Sequence, residues 1–151
     1  MEYWGLKMRW YHFTAFEEFT EILQDEALLP EYGKLRRRIS QKRGIDKKKA
    51  NALLEAMVER MKRNEPNNYA RNSNVWLTPD NSHAVGVTGN DIVLGFELPY
   101  QPNDGRFLKL PEASLEHLVD VGATPAFLSR ARELLSTAHD GKYSKIQTYT
   151  I

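Results

Sequence analysis

The sequence predicts a mixed α+β domain, and three observations carry that reading. The segment "LKMRWYHF" near the start is aromatic-rich and alternates like a strand. The run "DIVLGFEL" (91–98) is apolar enough to sit centrally in a sheet. Helical periodicity appears between only some of the strand candidates, so strands and helices do not simply alternate.

The elements follow in order. A first strand spans roughly 6–13, with Met8, Trp10 and His12 on one face and Arg9, Tyr11 and Phe13 on the other. "TAFE" then reads as a capping box, in which Thr14 accepts from an early helix N–H and Glu17 reaches back. Phe16, Phe19, Ile22 and Leu23 recur at helical spacing, so the first helix is expected to run to about Leu29, stopped by Pro30 and Gly33. Residues 34–43 are basic and poorly periodic. A second helix is expected from about Asp46 to Lys62, on Ala50, Leu53, Leu54, Met57, Val58 and Met61. Residues 64–74 read as a polar loop. "NVWLT" is a short strand, "PDNSHAV" a turn leading into a short helix or irregular piece, and "PYQPNDG" a loop of turn formers. "RFLKL" and "LEHLVDV" are further strands. "TPAFLSRARELLSTAHDG" is a helix with proline in its first turn and glycine after its end. "KIQTYTI" alternates cleanly and closes the chain as a strand.

At 151 residues the chain is expected to form one domain, 1–151, with residues 34–68 as a basic, largely helical insert. It has no cysteine, so a disulfide framework and thiolate chemistry are excluded. Four scattered histidines give no usual zinc spacing, and no metal is expected. No apolar run approaches the roughly 20 residues of a membrane span. The first residues lack a signal-peptide pattern, which leads to the expectation of a cytoplasmic protein with no membrane partner. The net charge of +1 conceals a division: residues 34–63 carry 12 Lys+Arg against 3 Asp+Glu, and the rest of the chain carries 9 against 17.

Three pieces stand out together: "YHFT" at a strand end before a helix, "NVWLTPDNSHA" as an aromatic strand followed by a small-residue turn, and "LEHLVDV" as a glutamate leading into an apolar strand. In this order they resemble the ADP-ribosyltransferase family, in the branch with a His–Tyr–Glu triad that includes the diphtheria-toxin-like enzymes and the poly(ADP-ribose) polymerases. "HFT" looks like that family's His-Gly-Thr element. "VWLTPDNSHA" looks like its Tyr-Phe-Ala strand with the Ser-x-Ser-Ala turn, and "EHLVDV" like its glutamate strand. The resemblance covers most of the chain apart from the basic insert. The sequence departs from it at Phe13, where the family has glycine, at Trp76, where it has its first tyrosine, and near Val85–Val87, where no second aromatic stands.

The resemblance implies an ADP-ribosyltransferase-like split mixed sheet with a basic helical insert, binding NAD in a cleft between the first strand, the "VWLT" strand and the Glu116 strand. It implies cleavage of the nicotinamide–ribose bond and transfer of ADP-ribose to a macromolecular acceptor, protein or nucleic acid. Glu116 would be the catalytic carboxylate, stabilising the cationic, oxocarbenium-like charge at the ribose. His12, Thr14, Trp76 and Ser82 would bind the cofactor: His12 at a ribose hydroxyl, Thr14 through its own hydroxyl, and Trp76 by stacking on the nicotinamide. Glu97 and Glu112 are alternative acids. The loop 99–114 would lie where the family selects its acceptor. The small size suits a toxin, effector or phage-encoded modifier.

The basic segment has its own expectation. Arg36, Arg37, Arg38, Lys47, Lys48 and Lys49 could neutralise phosphates of a nucleic acid, with Tyr32, Tyr69 and Trp76 available for stacking on a single strand. Two rival functions stay open: a non-catalytic binding or inhibitor protein of the same fold, and a small ribonuclease-type toxin using His12, arginines and a tyrosine.

Overall fold

The computed structural model describes residues 6–81 and 90–151. The chain is mixed α+β, and it divides into two compact units: a sheet unit, 1–28 with 76–109 and 114–151, and a helical unit, 29–75 with 110–113.

In the sheet unit, β1 (Met8–Thr14) runs antiparallel to β4 (Ile92–Leu98), which runs antiparallel to β7 (Leu118–Ala123). The last strand, β8 (Gln147–Thr150), lies parallel to β7. A parallel neighbour needs a crossover, and α5 (Pro125–Thr137) supplies it between β7 and β8. The run "DIVLGFEL" becomes β4 and takes the expected central position, between β1 and β7.

Register sorts the side chains, because paired residues on neighbouring strands point to the same face. Trp10 pairs with Phe96, which pairs with Leu118, and His12 pairs with Leu94, which pairs with Val121. Trp10, Phe96, Leu94 and Val121 are fully buried, so this face is the core side. The other face carries Arg9, Tyr11, Glu97, Gly95, Asp120, Gly122 and Tyr149. Between Gly95 and Phe96 the register slips through a bulge.

The first helix, α1 (Phe16–Asp25), is shorter than expected. Glu26 turns left-handed (φ 55°), Ala27–Leu28 form the short strand β2, and Ala113–Ser114 form another short strand, β6. Glu26 is held there by its carboxylate, which accepts from Lys142 Nζ at 2.8 Å and from the Tyr143 hydroxyl at 2.7 Å. The expected capping box does not form. Ala15 is the N-cap, and Thr14 is the last residue of β1. Strand pairing with Ile92 fixes the Thr14 backbone, its side chain is buried, and its hydroxyl donates to Glu18 Oε2 at 2.7 Å.

The helical unit holds α2 (Glu31–Gln41), α3 (Lys47–Asn64) and α4 (Pro66–Ser73). Two of these depart from expectation. The segment 34–43 is helical because Tyr32, Leu35 and Ile39 form a narrow apolar stripe among the charges. The segment 64–74 is helical from Pro66, which suits a first helical position, and it turns Tyr69 toward the core. Asp46 caps α3 by accepting from the Lys49 N–H at 3.1 Å. Tyr32, Leu54 and Val58 form the buried cluster, with Leu35, Ile39 and Tyr69 packed on it. No helix among the described residues is long and apolar enough to cross a membrane.

Candidate functional site

The outer edge of β1 builds the site. The strand β3 (Val75–Leu77) runs on into Thr78, whose backbone exchanges two hydrogen bonds with Tyr11, at 2.8 and 2.9 Å. Trp76 and Leu77 of β3 lie beside β5 (Leu108–Leu110), and the loop before β5 brings Phe107 in. The result is a cleft of about 290 Å3, lined by Tyr11, His12, Phe13, Trp76, Thr78 and Phe107.

His12 Nδ1 stands 3.1 Å from the Trp76 carbonyl oxygen. A carbonyl only accepts, so Nδ1 carries the hydrogen, and in the neutral ring Nε2 is then the acceptor. Cations flank the aromatics: Lys109 Nζ lies 5.7 Å from the Trp76 ring centre, and the Arg106 guanidinium 5.1 Å from that of Phe107. Thus two of the expected cofactor residues, His12 and Trp76, come together from positions 64 residues apart.

The other expected residues lie elsewhere. Thr14 faces the core and is occupied by Glu18. Ser82 lies outside the described residues, as do the positions near Val85–Val87. Glu116 sits on a single 3-10 turn, Leu115–His117, that leads into β7, with its N–H bonded to the Ser114 hydroxyl at 3.2 Å. It is exposed and is not among the described residues lining the cleft. The register explains why. β4 lies between β1 and β7, and Glu116 precedes Leu118, which is level with Trp10 rather than with His12. The cleft is therefore bounded by β1, β3 and the Phe107 loop, without the Glu116 strand.

The basic residues belong to the helical unit. Arg36 is paired to Glu55 through Nε at 2.7 Å and Nη2 at 3.3 Å. The pairing holds the Glu55 carboxyl below its usual range and raises Arg36. Lys47 donates to the Ser40 carbonyl at 2.7 Å. Arg37, Arg38, Lys48 and Lys49 are exposed.

A cluster absent from the sequence reading lies on the open face of the sheet. Arg9 donates through Nη1 to Asp120 at 2.5 Å and through Nη2 to Glu97 at 3.0 Å. Burial pushes the Asp120 carboxyl above its usual range, and the neighbouring Arg9 only partly offsets this. Burial also works against the Arg9 charge, but Glu97 and Asp120 raise it overall. Tyr149 is pushed up by burial and then by the charge of Asp120. Two glycines make the cluster possible. A Cβ at Gly95 would stand 2.1 Å from Asp120 Oδ1, and one at Gly122 would stand 2.6 Å from the Tyr149 ring. Glycine inside an otherwise apolar strand is the sequence signal for such a close approach. Comparison with protein-family models, with curated proteins and with solved structures finds no match to this chain.

Proposed function

We propose that the protein transfers ADP-ribose from NAD to a macromolecular acceptor. The observation that supports this reading is the meeting of His12 and Trp76 in one aromatic cleft. At about 290 Å3 the cleft is near the lower end of the range for small-molecule sites, and it suits the nicotinamide-riboside end of the dinucleotide. Trp76 and Phe107 offer flat faces to a flat heterocycle. Lys109 lies over the Trp76 ring and moves aside on its flexible stem when a ring stacks there. His12 Nε2 accepts from a ribose hydroxyl, while Nδ1 stays anchored on the Trp76 carbonyl.

NAD, when bound, supplies a nicotinamide–ribose bond whose cleavage leaves positive charge on the ribose. The resemblance assigns the carboxylate that meets that charge to Glu116, which lies outside the described cleft lining, so its substitution is the sharpest test of that assignment. A nucleic-acid acceptor would be gathered by Arg36, Arg37, Arg38, Lys47, Lys48 and Lys49, all exposed, since surface cations release counterions from phosphates. Purified protein is expected to hydrolyse NAD or to pass label from it to a target, with Glu116→Gln abolishing turnover. Absence of NAD binding, together with no effect of that substitution, overturns the enzyme reading. A second reading is a non-catalytic binding protein with the same cleft. It is favoured by the position of Glu116 outside the cleft lining, and it is distinguished by nucleotide binding without turnover.

A further inference from the structure

We infer that an exposed ridge on α3 is a docking surface for an acidic amphipathic helix of a partner protein. Leu53 and Met57 stand four residues apart on α3, so their side chains share one face. Leu53 is 64% exposed, the most of any large apolar side chain among the described residues, and Met57 is 36% exposed. The ridge borders the packed side of the helix, where Leu54 and Val58 are buried with Tyr32, Leu35, Ile39 and Tyr69 around them. The apolar stripe of α3 is therefore wider than its own unit covers.

Charge selects the partner. On the same face Lys49 precedes Leu53 by four residues and Arg60 follows Met57 by three, and both are exposed. The two acids of α3 lie on the far side: Glu55 and Glu59 each follow a ridge residue by two positions, which turns them about 200° round the helix. Glu55 is moreover bound to Arg36. Asp46, ahead of the helix, is occupied by the Lys49 N–H. The rim beside the ridge is thus basic. The fold itself does not ask for this, because Lys47, Lys48 and Lys49 fill a first turn that holds no acid, and cations there oppose the helix dipole. A leucine left in water and lysines set against the dipole both cost stability, and one acidic, apolar partner relieves both. Such a helix lays its apolar stripe over Leu53 and Met57 and sets its carboxylates beside Lys49 and Arg60. A nucleic acid meets the cations but leaves the aliphatic side chains in water, and the ridge has no aromatic ring for a base to stack on. A second copy pairing ridge to ridge brings like charges together. A bilayer surface takes a wide apolar face, whereas Leu54 and Val58 beside the ridge are turned into the unit's own core. This surface does not rest on NAD turnover.

Fluorescence anisotropy with the full chain tests it against three labelled synthetic helices. The first carries leucine at i, i+3, i+4 and i+7 with glutamate between them. The second has lysine in place of glutamate, and the third keeps the glutamates but has glutamine in place of leucine. The first is expected to bind at least tenfold more tightly than either of the others. Leu53→Gln with Met57→Gln, and separately Arg60→Glu, should each lower that affinity at least fivefold, and added salt should lower it further. Because these side chains are exposed, the melting temperature should stay at the wild-type value in both variants. No binding of the first helix, equal binding of the first and third, or binding that survives both variants overturns the surface. Binding of a single-stranded oligonucleotide or of phosphatidylserine vesicles that depends on Leu53 and Met57, or self-association that depends on them, gives the ridge to that occupant and overturns the acidic helix. Loss of NAD turnover in Glu116→Gln with helix binding intact leaves it standing.

Discussion

The sheet unit buries Trp10, Phe19, Ile92, Leu94 and Phe96 completely, whereas the helical unit closes on the small cluster of Tyr32, Leu54 and Val58. On the helical side Leu53 remains 64% exposed, and most of the chain's basic charge lies there. The two units therefore resist perturbation differently. Buried apolar area carries the first, at about 25 cal/mol per Å2. The second leans on one side-chain-capped helix, a thin core and a screened surface pair.

The largest expected effect follows from that contrast. Trp10→Ala should cost about 3–5 kcal/mol, because the indole is fully buried and its Nε1–H also donates to the Tyr100 carbonyl. Leu54→Ala in the helical unit should cost about 2 kcal/mol, at the lower end for such a truncation, because less packing surrounds it. Denaturant unfolding of the two variants breaks the comparison if Leu54→Ala proves the more damaging. Next in size, Gly122→Ala should cost about 1–3 kcal/mol by forcing its Cβ against the Tyr149 ring and Val93, read as a lower melting temperature.

Two carboxylates of the sheet unit should then show opposite pH behaviour. Asp120 has a raised pKa, so the folded state holds its proton more tightly than the unfolded chain does. Its contribution to stability therefore declines as pH rises from the ordinary carboxylate range through the raised value. Glu26 has a lowered pKa, set first by the Lys142 and then by the Tyr143 hydrogen bond. Its contribution is present above the ordinary carboxylate range and is lost as pH falls through the lowered value. Stability curves of Asp120→Asn and Glu26→Gln against the wild type, between about pH 3 and 6, should diverge in opposite directions. The smallest effect is expected in the helical unit. Arg36→Ala should change stability by only about 0.5 kcal/mol, and added salt should shrink that further, because the pair with Glu55 is exposed.

Legibility in the sequence followed the strength of local signals. The apolar run of β4, the heptad-like spacing of α3 and the alternation of β8 each announce their element, because burial imposes a period on the chain. The helix α2 was hidden because Tyr32, Leu35 and Ile39 are diluted by basic residues, and α4 because one aromatic is too little to set a period. Thr14 matched a capping pattern, but strand pairing with Ile92 claimed its backbone first. At the site, His12 and Trp76 stood out as aromatic-flanked strand residues and do meet. The Arg9–Glu97–Asp120 cluster did not stand out. Its members come from three strands, and only the register brings them within reach: Arg9 is level with Glu97, and Asp120, level with Gly95 and Tyr11, lies diagonally across from Arg9.

The two hydrogen bonds between Tyr11 and Thr78 do more than wall a cleft. An edge strand with free amides and carbonyls is a template on which another chain can add a strand. With Thr78 seated at the middle of β1, an incoming strand cannot run along that edge, so the sheet is guarded on this side against edge-to-edge aggregation. Weakening the attachment of β3 should therefore appear first as loss of solubility, before any loss of secondary structure.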